Sequence, residues 1–314
     1  GTNFAAAATI NKEAAAASIR RDQSRASDRI TRTNMDEPMV VSQLLQDESD
    51  KVANFLALVG EHTLSLSVVG QPPLREVWIL RFLIGFKWNT KIAAEKFTRM
   101  VEWRVKFGVD AIRSRMIDGI VPKDFPGYQA HHSGYVHSTF DLCSGAAQRG
   151  SPISIECIPK FDFETLFAID DGTQDNYLIH VMEWSFFRLD QCFLKTGRFI
   201  GYVKIFDLTS CAMKHVQVVR RWNQINNERI VRFGVDVNEC YPEWFNRVMI
   251  VNAPSFFSVI WKVLRPFLPA RTVEKVGVES NVTKARERLL LVVDESVLPS
   301  FLGGSFDGEW RMLP

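Results

Sequence analysis

The sequence predicts an α/β protein: a small helical domain first, then an α/β domain built on a mainly parallel sheet. Three observations carry this. Residues 74–108 hold apolar residues at helical spacing, whereas short β-rich runs begin only after about residue 134. Two later runs, Tyr202–Phe206 and Val248–Val251, are almost continuously apolar, the signature of strands covered on both faces. Between them a helical stretch from about Met213 to Phe233 supplies the crossover that a parallel pair requires. A chain of 314 residues holds one large domain or two ordinary ones.

The elements follow in order. Residues 1–33 contain two tetra-alanine blocks, Ala5–Ala8 and Ala14–Ala17, and their bases (Lys12, Arg20, Arg21, Arg25, Arg29, Arg32) outnumber their acids (Glu13, Asp22, Asp28). Such a segment is helix-permissive but has almost nothing to bury. It reads as a frayed tail, with an organelle-targeting segment or a protein-docking arm as alternatives. The acids weigh against targeting, and the initial Gly reads as a processed or truncated start. Residues 39–69 read as short helices carrying Leu44, Leu45, Val52, Phe55, Leu56 and Val59, and are broken by Gly70 and Pro72-Pro73.

In the next segment Ile79, Phe82, Leu83 and Phe86 recur at i, i+3, i+4 and i+7, one face of an amphipathic helix. Asn89 or Thr90 is placed to cap the following helix, with its stripe of Ala93, Phe97, Met100 and Val101, and Gly108 is placed to stop it. Pro122, Pro126 and Gly127 make a linker. Gly134–Phe140 and Ser151–Ile158 read as strands around a loop containing Gly145 and Gly150. In the second, Ile153, Ile155 and Cys157 alternate with Ser154 and Glu156, as in a half-buried strand. Helical patterns follow over Phe161–Ile169 and Gln174–Leu189. The expected division is a tail over 1–37, a helical domain over 38–119, the α/β domain over 120–304 and a tail over 305–314.

Composition excludes several classes. Lys plus Arg total 38 against 36 Asp plus Glu, so there is no electrostatic footprint for a nucleic-acid partner. The five cysteines (Cys143, Cys157, Cys192, Cys211, Cys240) include no C-x-x-C pair, which argues against a disulfide framework or a zinc site and for a reducing compartment. Cys157 and Cys211 read as small core residues. No run of 18 apolar residues exists, so the expectation is a soluble or peripheral protein.

Catalytic chemistry has no motif to rest on: there is no G-x-S-x-G, P-loop or G-x-G-x-x-G. His131, His132 and His137 lack partners at ligand spacing and read as a solvated loop, and His180 with Glu183 as a polar pair rather than a metal site. Asp207 reads as a turn cap, and Arg220-Arg221-Trp222 as a solvated helix face. No enzyme, metal or cofactor is expected.

Several phrases, in order, are similar to one family. Leu80-Arg81-Phe82-Leu83 with Lys87, Trp88 and Asn89 resembles the "LRFLRARKFD" of CRAL-TRIO lipid-binding proteins. Glu102-Trp103-Arg104 and Phe107-Gly108 resemble its "KWR…FG"; Tyr241-Pro242-Glu243 and Ile250-Val251-Asn252-Ala253-Pro254 its "YPE…INAP". Arg265-Pro266-Phe267-Leu268 is similar to its "KPFL", and Leu298-Pro299, Phe301 and Gly303-Gly304 to its closing "LP…GG". The series spans roughly residues 74–304.

The resemblance implies a helical domain followed by a CRAL-TRIO-like α/β lipid-binding domain. It implies non-covalent binding of one phospholipid or isoprenoid-like ligand in an apolar cavity closed by a gate helix. Here the gate falls near Ser255–Leu264, with Phe256, Phe257, Val259, Ile260, Trp261, Val263 and Leu264. It is apolar on nearly every side, so it must be buried or face lipid.

The chain departs from the phosphatidylinositol-binding pattern. On the family's headgroup set, the Arg falls on Phe86, the Lys on Lys87, the Glu on Arg232 and the last Lys on Arg265. Lys87 and Arg265 remain to meet a phosphate, but the set as a whole is broken. The family's Gly-Arg-Pro-Val turn is Gly150-Ser151-Pro152-Ile153 after Arg149, and its Asp-x-x-Gly becomes Asp207-Leu208-Thr209-Ser210.

Two readings follow. In the first, a carrier docks transiently on a membrane, opens its gate and exchanges one lipid; burial at roughly 0.8 kcal/mol per CH₂ must then match the bilayer. Its place is cytoplasmic, peripheral at membranes. In the second, the old fold is an accessory scaffold subunit, perched on an organellar (mitochondrial) membrane assembly and held by protein partners through residues 1–33.

Overall fold

The structure, a computed structural model, describes residues 39–60, 66, 69–134 and 150–307. The N-terminal arm, Cys143, His137, Gly145, the expected strand beyond Gly134 and the last residues from 308 lie outside the described residues.

The described residues open with five helices: α1 (Val41–Asp47), α2 (Ser49–Val59), α3 (Leu74–Gly85), α4 (Thr90–Phe107) and α5 (Val109–Ile117). In α3 every residue from Val77 to Ile84 is buried, Arg81 included. In α4 the stripe read from the sequence is the buried one. Asn89 caps α4 by accepting from the Ile92 N–H at 3.2 Å, and Gly108 ends it at φ 63°, a left-handed geometry that glycine adopts without steric penalty.

A short helix α6 (Tyr128–Gly134) follows and corrects the expectation of a solvated histidine loop. His131 is buried with its ring stacked 3.9 Å from that of Tyr177, and His132 stacks on Tyr128. Stacking on Tyr177 and Tyr128 accounts for the placement of His131 and His132.

The α/β part runs β1 (Ile153–Glu156), α7 (Phe163–Ala168), α8 (Asp171–Thr196), β2 (Tyr202–Asp207) and α9 (His215–Phe233). Then come α10 (Val237–Cys240), β3 (Phe245–Val251), α11 (Phe257–Leu264), α12 (Ala270–Glu274), β4 (Val276–Glu279) and α13 (Val282–Leu290). Among the described residues, four strands form one sheet in the order β1-β2-β3-β4, every neighbour parallel. Helix α8 outruns its expected bounds because Asp170 caps it, accepting from the Thr173 N–H at 2.9 Å, and only Gly197 stops it. Strand β3 starts at Phe245 because Arg247 and Phe245 pair with Val203 and Tyr202 of β2 around an irregularity at Asn246, and the polarity of Asn246 and Arg247 breaks the apolar run.

Alternation divides the sheet's two faces. Ile153, Ile155, Val203, Ile205, Met249 and Val251 pack on Ala285, Leu289 and the buried residues that follow α13. Ser154 and Glu156, Tyr202, Lys204 and Phe206, Val248 and Ile250, and Val276 face the other way. The half-buried reading of β1 is therefore corrected: Ser154 is buried as well, because its face looks onto other elements and not onto water.

A buried charge network joins the first helices to α8. Arg104 donates from Nη1 and Nη2 to Glu183 Oε2 and Oε1 at 2.9 and 3.0 Å. Arg113 donates to Glu183 Oε1 at 2.5 Å and to Asp190 Oδ2 at 2.9 Å. Tyr241 Oη donates to Glu183 at 2.5 Å, and Trp78 Nε1 to Asp190 at 3.2 Å. Burial alone would raise the Glu183 carboxyl, but the two guanidiniums overcome it and hold it down at about 2.

Arg81 donates to the carbonyls of Ile200 and Glu243 at 3.0 and 3.1 Å. Gly85 sits so close to Pro242 that a Cβ there would lie 2.7 Å from the proline's. The helical region and α8 consequently share one core. Among the described residues, no helix is long and apolar enough to cross a membrane.

Candidate functional site

The second sheet face does not close on itself. Helices α8, α9 and α11 arch over it and leave a cavity of about 390 Å³. Its floor is Ser154 and Glu156 from β1, Tyr202, Lys204 and Phe206 from β2, Val248 and Ile250 from β3, and Val276 from β4. Val181 and Ser185 of α8 and Val218, Val219, Trp222 and Asn223 of α9 form the walls, joined by Phe161 and Phe163. Phe257, Ile260, Trp261 and Leu264 of α11 cover one side. Burial of Phe257 and Ile260 against Val216, Val248, Ile250 and Val276 holds α11 in place.

One ion pair breaks this apolar lining. Lys204 and Ser154 are ladder partners across β1 and β2, so their side chains rise from the same face. Lys204 Nζ donates to Ser154 Oγ at 2.8 Å and to the Glu156 carboxylate one step further along β1. The lysine side chain is 9% exposed and the glutamate 25%. The pair sits at the β1–β2 side of the floor, while the floor under α11 is Val248, Ile250 and Val276. The cavity is thus amphipathic, with charge at one end and hydrocarbon at the other.

Of the residues singled out from the sequence, Phe257, Ile260 and Leu264 line the cavity. Phe256 and Val263 are partly buried in the same apolar cluster beside it. The Val263 carbonyl accepts from Asn223 Nδ2 at 3.2 Å, fastening α11 to α9. Val259 is exposed. Lys87 and Arg265 are exposed and outside the lining. Lys87 Nζ lies 2.9 Å from Glu274 Oε1 at the end of α12, and Arg271 joins Glu274 to Glu243. Arg232 is bound to Asp175 and Asp171 of α8.

Other sequence readings change in detail. Arg220 and Arg221 are exposed as expected, but Trp222 turns inward and lines the cavity. Cys211 is only half-buried and also lines it. Cys157 is a core thiol that donates to Asp207 Oδ2 at 3.7 Å, and burial pushes it up to about 12. Asp207 caps its turn, accepting from the Thr209 N–H and Oγ1, and also holds Asn252. Sequence reading missed Lys204, Glu156 and Ser154 as site residues. The available signal was the lysine itself, inside the otherwise apolar run 202–206 that reads as covered on both faces.

This geometry defines an α/β fold with an internal, sheet-floored apolar cavity under a short helix. Residues 166–304 match the CRAL/TRIO domain, so the chain carries a domain of the family that its own phrases resemble. Among curated relatives it is 30% identical over 236 residues to phosphatidylinositol/phosphatidylcholine transfer protein SFH12 of Arabidopsis thaliana, covering 72% of this chain and 39% of that one. It is 26% identical to the SEC14 cytosolic factor of Yarrowia lipolytica, over 74% of this chain and 46% of that one. The chain therefore spans less than half the length of either relative. The crystal structure of Sfh5 matches with a TM-score of 0.50 and 14% identity, over 79% of this chain and 81% of that one, a likeness of fold.

Proposed function

We propose that the chain binds one amphiphilic lipid in this cavity without covalent chemistry and exchanges it at membrane surfaces, with α11 as the gate. The observation that carries the reading is the cavity itself: apolar and lined on one side by the apolar face of α11. Apolar walls with a few convergent polar groups are the usual form of a small-molecule site. An open cavity of about 390 Å³ supports a carrier over a scaffold whose core has filled. The names of the relatives, phosphatidylinositol/phosphatidylcholine transfer proteins, favour a phospholipid.

Gating follows from burial. Phe257 and Ile260 give α11 an apolar inner side, and Val259 and Phe267 expose apolar surface at and just after it. Moving α11 outward exposes more apolar surface, which water penalises and a bilayer does not. Lys87 and Arg265 stand outside the cavity and act at the surface, where a cation near an anionic membrane is worth about 1 kcal/mol. The protein thus works as a peripheral carrier on the cytoplasmic side of membranes.

Transfer of pyrene-labelled phosphatidylcholine from donor to acceptor vesicles tests this. The reading expects exchange well above the spontaneous rate, and abolition by Ile260→Trp, which places an indole in the cavity. Exchange no faster than the spontaneous rate contradicts it.

A further inference from the structure

Among the described residues that line the cavity, Lys204 and Glu156 are the only lysine, arginine, aspartate or glutamate side chains. They are paired with each other and backed by Ser154. A charge taken into apolar surroundings costs several kcal/mol unless it is matched there. Here the two protein charges cancel, so the described lining of the cavity carries no net charge from these side chains. We propose that the Lys204–Glu156 pair selects lipids whose headgroup is a net-neutral zwitterion, and rejects net-anionic ones. This rests on the lipid-carrier reading and names the ligand class that the site takes.

The geometry supplies the mechanism. A head-first lipid brings its polar group to the β1–β2 end and leaves its chains toward α11. A phosphate that meets the Lys204 ammonium leaves Glu156 with a weakened partner. A zwitterionic headgroup supplies the missing cation: phosphate to Lys204, ammonium to Glu156, four charges in two matched pairs. An anionic headgroup supplies no such cation and adds an uncompensated negative charge beside the half-buried Glu156 carboxylate. Selection by an unpaired charge in the wrong complex is how an interface rejects a close competitor.

The sign of the effect is set by which partner is removed. Glu156→Gln leaves the ammonium alone, giving the cavity one net positive charge and inviting an anionic headgroup. Lys204→Gln leaves the carboxylate alone and excludes anionic lipids more strongly, with weaker loading overall. The two variants therefore move selectivity in opposite directions, which a general loss of packing does not do.

The test is native mass spectrometry of the full chain after incubation with vesicles of equimolar phosphatidylcholine and phosphatidylglycerol. The wild-type chain is expected to carry phosphatidylcholine over phosphatidylglycerol by about tenfold or more. In Glu156→Gln that ratio falls by about tenfold or more, and in Lys204→Gln it stays at or above the wild-type ratio. A wild-type chain without preference, or a Glu156→Gln chain that loads lipid with the wild-type ratio, overturns the inference and leaves the carrier reading standing. A wild-type chain that loads neither lipid overturns both.

Discussion

Arg104 grips Glu183 with both of its terminal guanidinium nitrogens, at 2.9 and 3.0 Å, where neither side chain is reached by water. Arg104 belongs to the "KWR"-like phrase and Tyr241, which donates to the same carboxylate, to the "YPE"-like one. With Arg81 bound to two carbonyls, these residues of the resembling phrases prove to be joints of the fold. Arg104 and Tyr241 fix their segments to α8, and all three residues stand apart from the cavity lining.

Breaking that joint leaves buried guanidiniums uncompensated. Glu183→Gln is expected to cost about 3–5 kcal/mol of folding stability, measured by urea unfolding.

The same carboxyl sets an acid limit. Glu183 is held below its ordinary 4.5, at about 2, by Arg104 and Arg113 against the opposing effect of burial. Its contribution is therefore complete above 4.5 and is lost as pH falls toward 2. Unfolding stability measured across that window should fall in the wild-type chain and fall less in Glu183→Gln. Equal slopes in the two chains contradict the assignment.

Surface contact and cavity occupancy should separate. Lys87 is 60% exposed on its side chain and tied only to Glu274, a pairing worth at most about 1 kcal/mol. Lys87→Ala with Arg265→Ala should leave stability nearly unchanged while lowering affinity for phosphatidylglycerol-containing vesicles by about 1 kcal/mol per residue, less at high salt. Vesicle co-sedimentation reads this, and retained phosphatidylcholine loading completes the prediction.

The thiols report on the cavity. Cys211 lines it and is half-buried, whereas Cys157 is buried, bound to Asp207 and pushed up to about 12. The thiolate is the reactive form. Peptide mapping after alkylation at pH 8 should find Cys157 unmodified throughout, and Cys211 modified in delipidated protein but protected after loading with phosphatidylcholine.

Much of the architecture was legible because burial leaves periodic marks. The stripe of α4, the apolar run of β2 and the crossover α9 all lie where period and composition put them. The floor of the cavity was not legible. Ser154 and Glu156 alternate with Ile153 and Ile155 as in a strand with one wet face, and a local pattern does not distinguish water from a covered polar pocket. Only the register of β1 on β2 brings Lys204 beside Ser154, and strand register is a tertiary fact. Trp222 was hidden for a similar reason: beside Arg220 and Arg221 it looks like part of a wet face, but one helical step of about 100° turns it inward. The positions implied for a headgroup, Lys87 and Arg265, lie outside the lining that the strands and helices create together.

The central claim is that the cavity under α11 holds one lipid. Native mass spectrometry of the full chain, taken before and after incubation with phosphatidylcholine vesicles and repeated on Val219→Trp, which fills the α9 wall, tests it most directly. The account predicts one phosphatidylcholine per wild-type chain and none on the folded variant. A wild-type chain that stays empty, or a folded Val219→Trp chain that loads lipid as fully as the wild type, would contradict it.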